Sequence, residues 1–172
     1  FQAAVRHCFT VGRRKGSNLY VWGDRDCGKS FLLAPLKDVF PPSTILMNVA
    51  AGSHPLLKLP HRKVVFLDDF DYTLDSEIVP WPQFLVWLQG SQLEIKVPKN
   101  LGSEDLTYDD DAPILMTAGA RVMYVKKGGY NENETDAFFK RAQHFHFRRP
   151  IDSPDRTIQP CGACFAYLIL YG

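Results

Sequence analysis

The sequence has almost no net charge. Twenty lysines and arginines stand against nineteen aspartates and glutamates, a formal +1. Overall charge therefore announces no nucleic-acid partner. Cysteine is also scarce. The four present are too few and too scattered for a disulfide framework, and Cys27 sits inside a glycine-bounded loop where a bridge would be awkward. A reducing, intracellular compartment is expected. Long hydrophobic runs are missing too. The longest late one, Cys164–Tyr171, falls far short of the roughly 20 residues a spanning helix needs, so no membrane partner is expected. There is no signal peptide and no initiator Met at Phe1, so the chain is expected to be a piece of a longer protein. Internal repeats and low-complexity stretches are also absent.

What is there is an ordinary globular composition, 45% hydrophobic and 13% aromatic over 172 residues, enough for one domain around one core. The charges are segregated. Residues 1–30 carry six basic and two acidic side chains, and residues 121–149 carry seven and three. Acidic residues gather at Asp68–Glu77 and Glu104–Asp111. A basic face within a near-neutral molecule is therefore expected.

Short apolar runs at Leu19–Trp22, Thr44–Val49, Lys63–Leu67, Ile114–Thr117 and Gln143–Phe147 are continuous rather than alternating, as strands of a parallel sheet covered on both faces are. Helices are predicted at Ser30–Phe40, with Pro35 limiting or bending the first turns, at Trp81–Leu88 and around Thr135–Ala142. Strands alternating with helices give a three-layer α/β domain with a central parallel sheet. Asn100–Asp111 and Lys126–Asp136 read as long surface loops.

The spacing G-x-x-x-x-G-K-S is met by Gly23, Asp24, Arg25, Asp26, Cys27, Gly28, Lys29 and Ser30, followed by Phe31. It follows an apolar strand and opens a helical run, the context that identifies a phosphate-binding loop (a Walker A motif). The glycines let backbone N–H groups turn toward a β-phosphate, and the following helix adds its positive dipole end. Lys29 would reach the β- and γ-phosphates and the Ser30 hydroxyl would hold Mg²⁺. Asp24, Arg25 and Asp26 make the loop bulky and partly acidic. About forty residues on, Val64-Val65-Phe66-Leu67 ends in Asp68-Asp69, a Walker B pattern at the edge where parallel sheets bind ligands. Asp68 would complete the Mg²⁺ shell, and Asp69 would orient and deprotonate the attacking water. The pair points to ATP hydrolysis with Mg²⁺.

From Asn18 to about Pro150 the chain resembles the superfamily-three helicase domain of viral replication initiators, the Rep proteins of small circular single-stranded DNA viruses and the parvoviral nonstructural protein. Val64–Phe70 is similar to their acidic strand, and Leu88–Lys99 to the motif that follows it. Pro113–Gly119 is similar to their sensor strand, and Phe139–Phe147 to the segment supplying an arginine to the neighbouring subunit's ATP. The resemblance implies a P-loop (AAA+-like) fold with an inserted β-hairpin and an ATP-dependent DNA helicase motor working as a ring, a hexamer. It implies Thr117 and Arg141 as catalytic residues. It also implies Lys96 and Lys99 as contacts to single-stranded or unwinding DNA, a role that phosphate pairing alone also permits. Arg148 and Arg149 are fallbacks for Arg141. An upstream region, an origin-nicking nuclease in the Rep proteins, would precede the domain, and the host nucleus would be its place of work. The division expected is a lead-in over 1–18, the ATPase domain over 19–150 and an extension over 151–172. One departure stands out. The family places Asn two residues after the sensor Thr, and here that residue is Gly119. It raises the question of how fast ATP is hydrolysed.

Other readings stay open: an RNA-virus superfamily-three ATPase, or a nucleotide-binding interaction module with little hydrolysis. A small-molecule kinase is disfavoured because no lid-like arginine cluster is evident. Cys161-Gly-Ala-Cys164 with His144 and His146 is a weak zinc pattern, with one histidine expected to face the core. Trp81, Phe84 and Trp87 are expected in the core, and Arg13, Arg14 and Lys15 in a solvated basic turn.

Overall fold

The computed structural model describes residues 1–49, 54–72, 79–101, 104–126, 129–151 and 158–172. Parts of the acidic stretch Asp68–Glu77 and of the loops expected at Asn100–Asp111 and Lys126–Asp136 lie outside them, as do residues 152–157 of the extension. All five predicted strands form one sheet. In chain order its members are β1 (Asn18–Gly23), β2 (Ile45–Met47), β3 (Val64–Leu67), β6 (Ile114–Ala118) and β9 (Ala142–Phe147), arranged β2-β3-β6-β1-β9. Every pairing in it is parallel. This is the three-layer α/β arrangement expected.

Each central strand is apolar on both sides because both sides are covered. Along β1, Tyr20 faces one core with Val65, Leu67 and Met116, while Leu19 and Val21 face the other with Val64, Phe66 and Leu115. The first core is closed by α4 (Trp81–Gln89) and α5 (Glu132–Phe139). The second is closed by α1 (Gln2–Val11), α2 (Lys29–Leu33), α3 (Leu36–Val39) and α6 (Gly162–Tyr171). The period-2 alternation of strand side chains sends successive residues to opposite layers, so a run with no polar member is what this position requires.

The helix expected over Ser30–Phe40 is divided at Pro35, which lacks an N–H and caps α3 instead of continuing α2. Trp81, Phe84 and Trp87 are buried in the first core, as their spacing predicted. The helix expected around Thr135–Ala142 starts earlier. Asn131 is its N-cap, and its side-chain oxygen accepts from the Glu134 N–H at 3.2 Å. Asn-x-x-Glu is a helix-start signal that the polar composition of Lys126–Asp136 conceals. The same stretch also holds a short antiparallel pair, β7 (Val125–Lys126) with β8 (Gly129–Tyr130). The expected loop at Asn100–Asp111 likewise contains β5 (Leu106–Tyr108), which pairs antiparallel with β4 (Leu93–Ile95). This separate two-stranded unit is rooted in the first core by Leu93, Ile95 and Tyr108.

Arg13 corrects the expectation of a solvated basic turn. It is fully buried. Its Nε donates to the Asp110 carbonyl at 3.0 Å, and one terminal nitrogen donates to the carbonyls of Trp87 (3.0 Å) and Ser91 (2.9 Å). Its guanidinium lies 4.9 Å from the Tyr108 ring centre, and burial draws its pKa down. Arg14 beside it is exposed and pairs with Asp111. Arg13 thus ties the start of β1 to the end of α4 and the foot of the β4–β5 unit. Arg13→Ala leaves three carbonyls without their charged donor, and should cost about 2–4 kcal/mol of unfolding free energy in urea titrations. Lys15→Ala, on the exposed part of the same turn, should cost no more than about 0.5 kcal/mol.

Candidate nucleotide site

The loop between β1 and α2 crosses the C-terminal end of the sheet. Two glycines fix its path. Gly23 has φ 149°, and a Cβ there would stand 2.0 Å from the Phe147 carbonyl oxygen of β9. Gly28 has φ 78°, and a Cβ would meet the Ile151 side chain at 2.5 Å. Ile151 also donates its N–H to the Asp26 carbonyl at 2.8 Å, so the chain leaving β9 closes over the loop. Residues Arg25 through Phe31 line an open cleft of about 670 Å³, whose opposite wall is Asp69 and Gly119. Gly23 and Asp24 lie behind it. Their carbonyls accept from the buried Lys29 Nζ at 2.7 and 2.5 Å. An ammonium held on two carbonyls at the rim of a cleft has an evident better partner, an anion.

The acidic strand end meets the loop directly. Ser30 Oγ donates to Asp68 Oδ1 at 2.8 Å, and Thr117 Oγ1 donates to the same oxygen at 2.6 Å. Thr117 Oγ1 in turn accepts the Asp69 N–H at 3.0 Å, and the Thr117 carbonyl accepts the Phe70 N–H at 2.6 Å. The start of α2 and the end of β6 thus each deliver one hydroxyl to a single carboxylate oxygen. Asp69 has φ 51°, a left-handed conformation that aspartate tolerates, and this turn leaves its carboxylate on the cleft wall. Asn48, at the end of β2, was not expected here. Its Oδ1 accepts the Asp68 N–H at 2.7 Å, and its own φ is 49°. A lone Asn after a strand gives no spacing signal that would reveal it.

Hydroxyl and carboxylate oxygens 2.8 Å apart are the hard donors Mg²⁺ prefers. Ser30 and Asp68 therefore fit the ion, which would keep several waters among its ligands.

Other expected site residues stand elsewhere. Arg141 immediately precedes Ala142, the residue opposite Asn18 at the start of β1, about 20 Å along the strand from the level of Gly23 at roughly 3.3 Å per residue. Its Nε donates to the Leu85 carbonyl (3.0 Å), and its terminal nitrogens donate to the Ala137 carbonyl (2.7 Å) and Gln89 Oε1 (2.8 Å). It fastens α5 and β9 to α4 and cannot reach this chain's own cleft. Arg148 and Arg149 are exposed at the loop end of β9. Lys96 and Lys99 lie between β4 and β5, both exposed. Lys96 Nζ pairs with Asp105 at 2.6 Å and Glu94 at 3.7 Å, and Asp105 also accepts the Val97 N–H at 3.1 Å. The hydrogen bond to Asp105 raises the Lys96 pKa.

His144 and His146 are both exposed, which corrects the expectation that one faces the core. Residues two apart on a strand share a face, and this face of edge strand β9 is open. His146 stacks on Trp22 at 3.6 Å between ring centres, and His144 sits edge-on to Phe139. Among the described residues no group of three or more His, Cys, Asp or Glu side chains could hold a metal ion, and no helix is long and apolar enough to cross a membrane.

Thr117 is fully buried, so its hydroxyl is the part of the network that water cannot replace. Thr117→Val keeps the shape and removes one donor and one acceptor. Urea unfolding should show a loss of about 1–3 kcal/mol, against less than about 1 kcal/mol for Ser30→Ala at the solvated side of the same carboxylate.

No protein-family model and no curated protein matches the chain. Solved structures do match in fold. The JC virus helicase, crystallised with a thiazolopyridinyl-phenoxyphenyl acetamide, superposes with a TM-score of 0.54 at 16% identity, covering 98% of this chain and 49% of that one. The NrS-1 C-terminal region in its apo form gives 0.56 at 10% identity, covering 98% and 38%. The chain spans about half the length of the first and less of the second. In fold, this chain is similar to the JC virus helicase and to the NrS-1 C-terminal region.

Proposed function

We propose that the chain is an ATP-hydrolysing motor domain of superfamily-three type that works on DNA as a ring, a hexamer, within a larger viral-type replication protein. The observation that carries this reading is the convergence of Ser30, Asp68 and Thr117 beside a phosphate-loop lysine, at the carboxyl end of a parallel sheet. The likeness in fold to the JC virus helicase agrees with it.

In this reading Lys29 leaves the Gly23 and Asp24 carbonyls for the β- and γ-phosphates, and the loop amides bind the phosphates beside it. Ser30 and Asp68 hold Mg²⁺, which supplies charge neutralisation of the phosphates when bound. Thr117, by holding both Asp68 Oδ1 and the Asp69 N–H, fixes the two carboxylates relative to each other. Asp69, on the cleft wall facing the loop, orients the attacking water and takes its proton. Arg141 acts on a neighbouring subunit's ATP by exchanging its three intrachain bonds for phosphate oxygens. Arg148 and Arg149, exposed and closer to the loop, are the alternatives. Lys99, and Lys96 once released from Asp105, meet the DNA backbone from the loop of the β4–β5 hairpin.

A second reading has its own observation. Gly119 lines the cleft where the family has Asn, and among the described residues, its chain neighbours aside, no atom lies within 4 Å of where its Cβ would be. The position that would polarise water is open space, which favours a nucleotide-binding interaction module with little turnover.

Phosphate release by the wild-type chain, with and without single-stranded DNA, separates the two. DNA-stimulated release that Lys29→Ala abolishes is expected; release unchanged in Lys29→Ala refutes the ATPase reading, and none in wild type favours the module. Fluorescence anisotropy with labelled single-stranded DNA tests the hairpin. Lys96→Ala with Lys99→Ala should weaken binding and flatten its log–log salt dependence by roughly 0.7 per lysine. An unchanged slope removes the hairpin from the interface.

A further inference from the structure

The pair Cys161 and Cys164 is used by nothing in the nucleotide site. Both are free, exposed thiols at the start of the ten-residue helix α6, whereas Cys8 and Cys27 are buried. Cys161 is the N-cap, and its sulfur accepts the Cys164 N–H at 3.1 Å. Cys161 at the cap and Cys164 one turn on lie side by side, and a disulfide between them needs their Cβ atoms drawn to about 3.5–4.5 Å by a local shift of the cap. The turn is held in place from below. Gly162 packs so closely on α3 that a Cβ would stand 2.8 Å from the Asp38 Cβ.

The two sulfurs are not equivalent. The Cys161 thiol is held below the ordinary cysteine range by the hydrogen bond from the Cys164 thiol, then by the Cys164 N–H. The same thiol–thiol bond raises Cys164. Burial pushes Cys8 up to about 12, which leaves it inert as well as inaccessible. A thiolate favoured at a helix start, with a second thiol in contact to resolve its adduct, is a dithiol arranged for exchange.

We propose that Cys161 and Cys164 form a redox-active dithiol that undergoes thiol–disulfide exchange with small-molecule disulfides, independently of the nucleotide site. The Cys161 thiolate attacks one sulfur of R–S–S–R. That S–S bond breaks, a mixed disulfide forms on Cys161, and RS⁻ departs and is protonated. Cys164, losing its proton to solvent, then attacks the Cys161 sulfur and expels the second RS⁻. Two protein thiols are oxidised as one external disulfide is reduced to two thiols.

The whole folded chain, equilibrated in buffers of glutathione and glutathione disulfide, quenched with acid and alkylated, tests this by mass spectrometry. The peptide carrying both residues should lose two hydrogens and take up no alkylating agent, while Cys8 and Cys27 remain reduced. Cys164→Ser should accumulate a glutathione adduct on residue 161 that persists because nothing resolves it. Cys161→Ser should form its adduct at least several-fold more slowly at pH 7. The proposal is overturned if the wild-type pair stays reduced at a disulfide ratio that oxidises the unfolded chain. Equal adduct rates in the two single variants would also overturn it.

Discussion

One carboxylate organises the loop end of this molecule. Asp68 Oδ1 takes hydrogen bonds from Ser30 of α2 and Thr117 of β6, while its own N–H is held by Asn48 of β2. The ends of β2 and β6 and the start of α2 are thereby all tied to the residue that follows β3. A half-buried carboxylate is costly unless its lone pairs are used, and here both donors are hydroxyls that stay neutral. Neutral donors leave the negative charge uncompensated, so the arrangement retains its attraction for a cation. An arginine in place of Thr117 would hold the carboxylate more tightly and remove that property.

The scaffold explains why these groups meet. Because β1, β3 and β6 are adjacent and parallel, their C-terminal ends lie side by side, and the residues following each one face a common cleft. Register then does the rest, with Val21 opposite Thr117 and Leu67 opposite Met116. The loop can lie flat on this edge only because Gly23 passes the Phe147 carbonyl without a side chain. Three buried or half-buried cations serve different ends. Lys29 is parked on carbonyls that a phosphate can outcompete. Arg13 and Arg141 are fastened to several partners each, and both tie α4 to the start of neighbouring strands.

Much of this was legible in the sequence because burial leaves a plain mark. Four largely apolar runs and the mixed run Gln143–Phe147 became the five sheet strands. The glycine spacing and the paired aspartates also located the cleft. What escaped notice had weak local signals. The strand Leu106–Tyr108 sits in a polar stretch and is stable only through pairing with Leu93–Ile95, a contact no window of sequence contains. Helix α1 buries only the small stripe Ala4, Val5 and Cys8, and α6 is apolar nearly all round; the two pack on each other, and α6 also packs on α3. The role of Arg13 was misjudged because a basic triplet reads as surface, whereas three carbonyls from distant segments solvate it inside. The three intrachain bonds of Arg141 could not be read from order and spacing.

A nucleotide-hydrolysing role requires the Ser30–Asp68 contact to be the place of a metal ion and the Lys29 contacts the place of phosphates. A crystal structure of the chain grown with Mg²⁺ and a non-hydrolysable ATP analogue tests both at once. The account predicts that Lys29 Nζ leaves the Gly23 and Asp24 carbonyls for phosphate oxygens. It also predicts that the direct Ser30–Asp68 hydrogen bond is replaced by an ion with both residues in its shell. A nucleotide bound elsewhere, or one bound at the loop with Lys29 still on its carbonyls and Ser30 still bonded to Asp68, would contradict it.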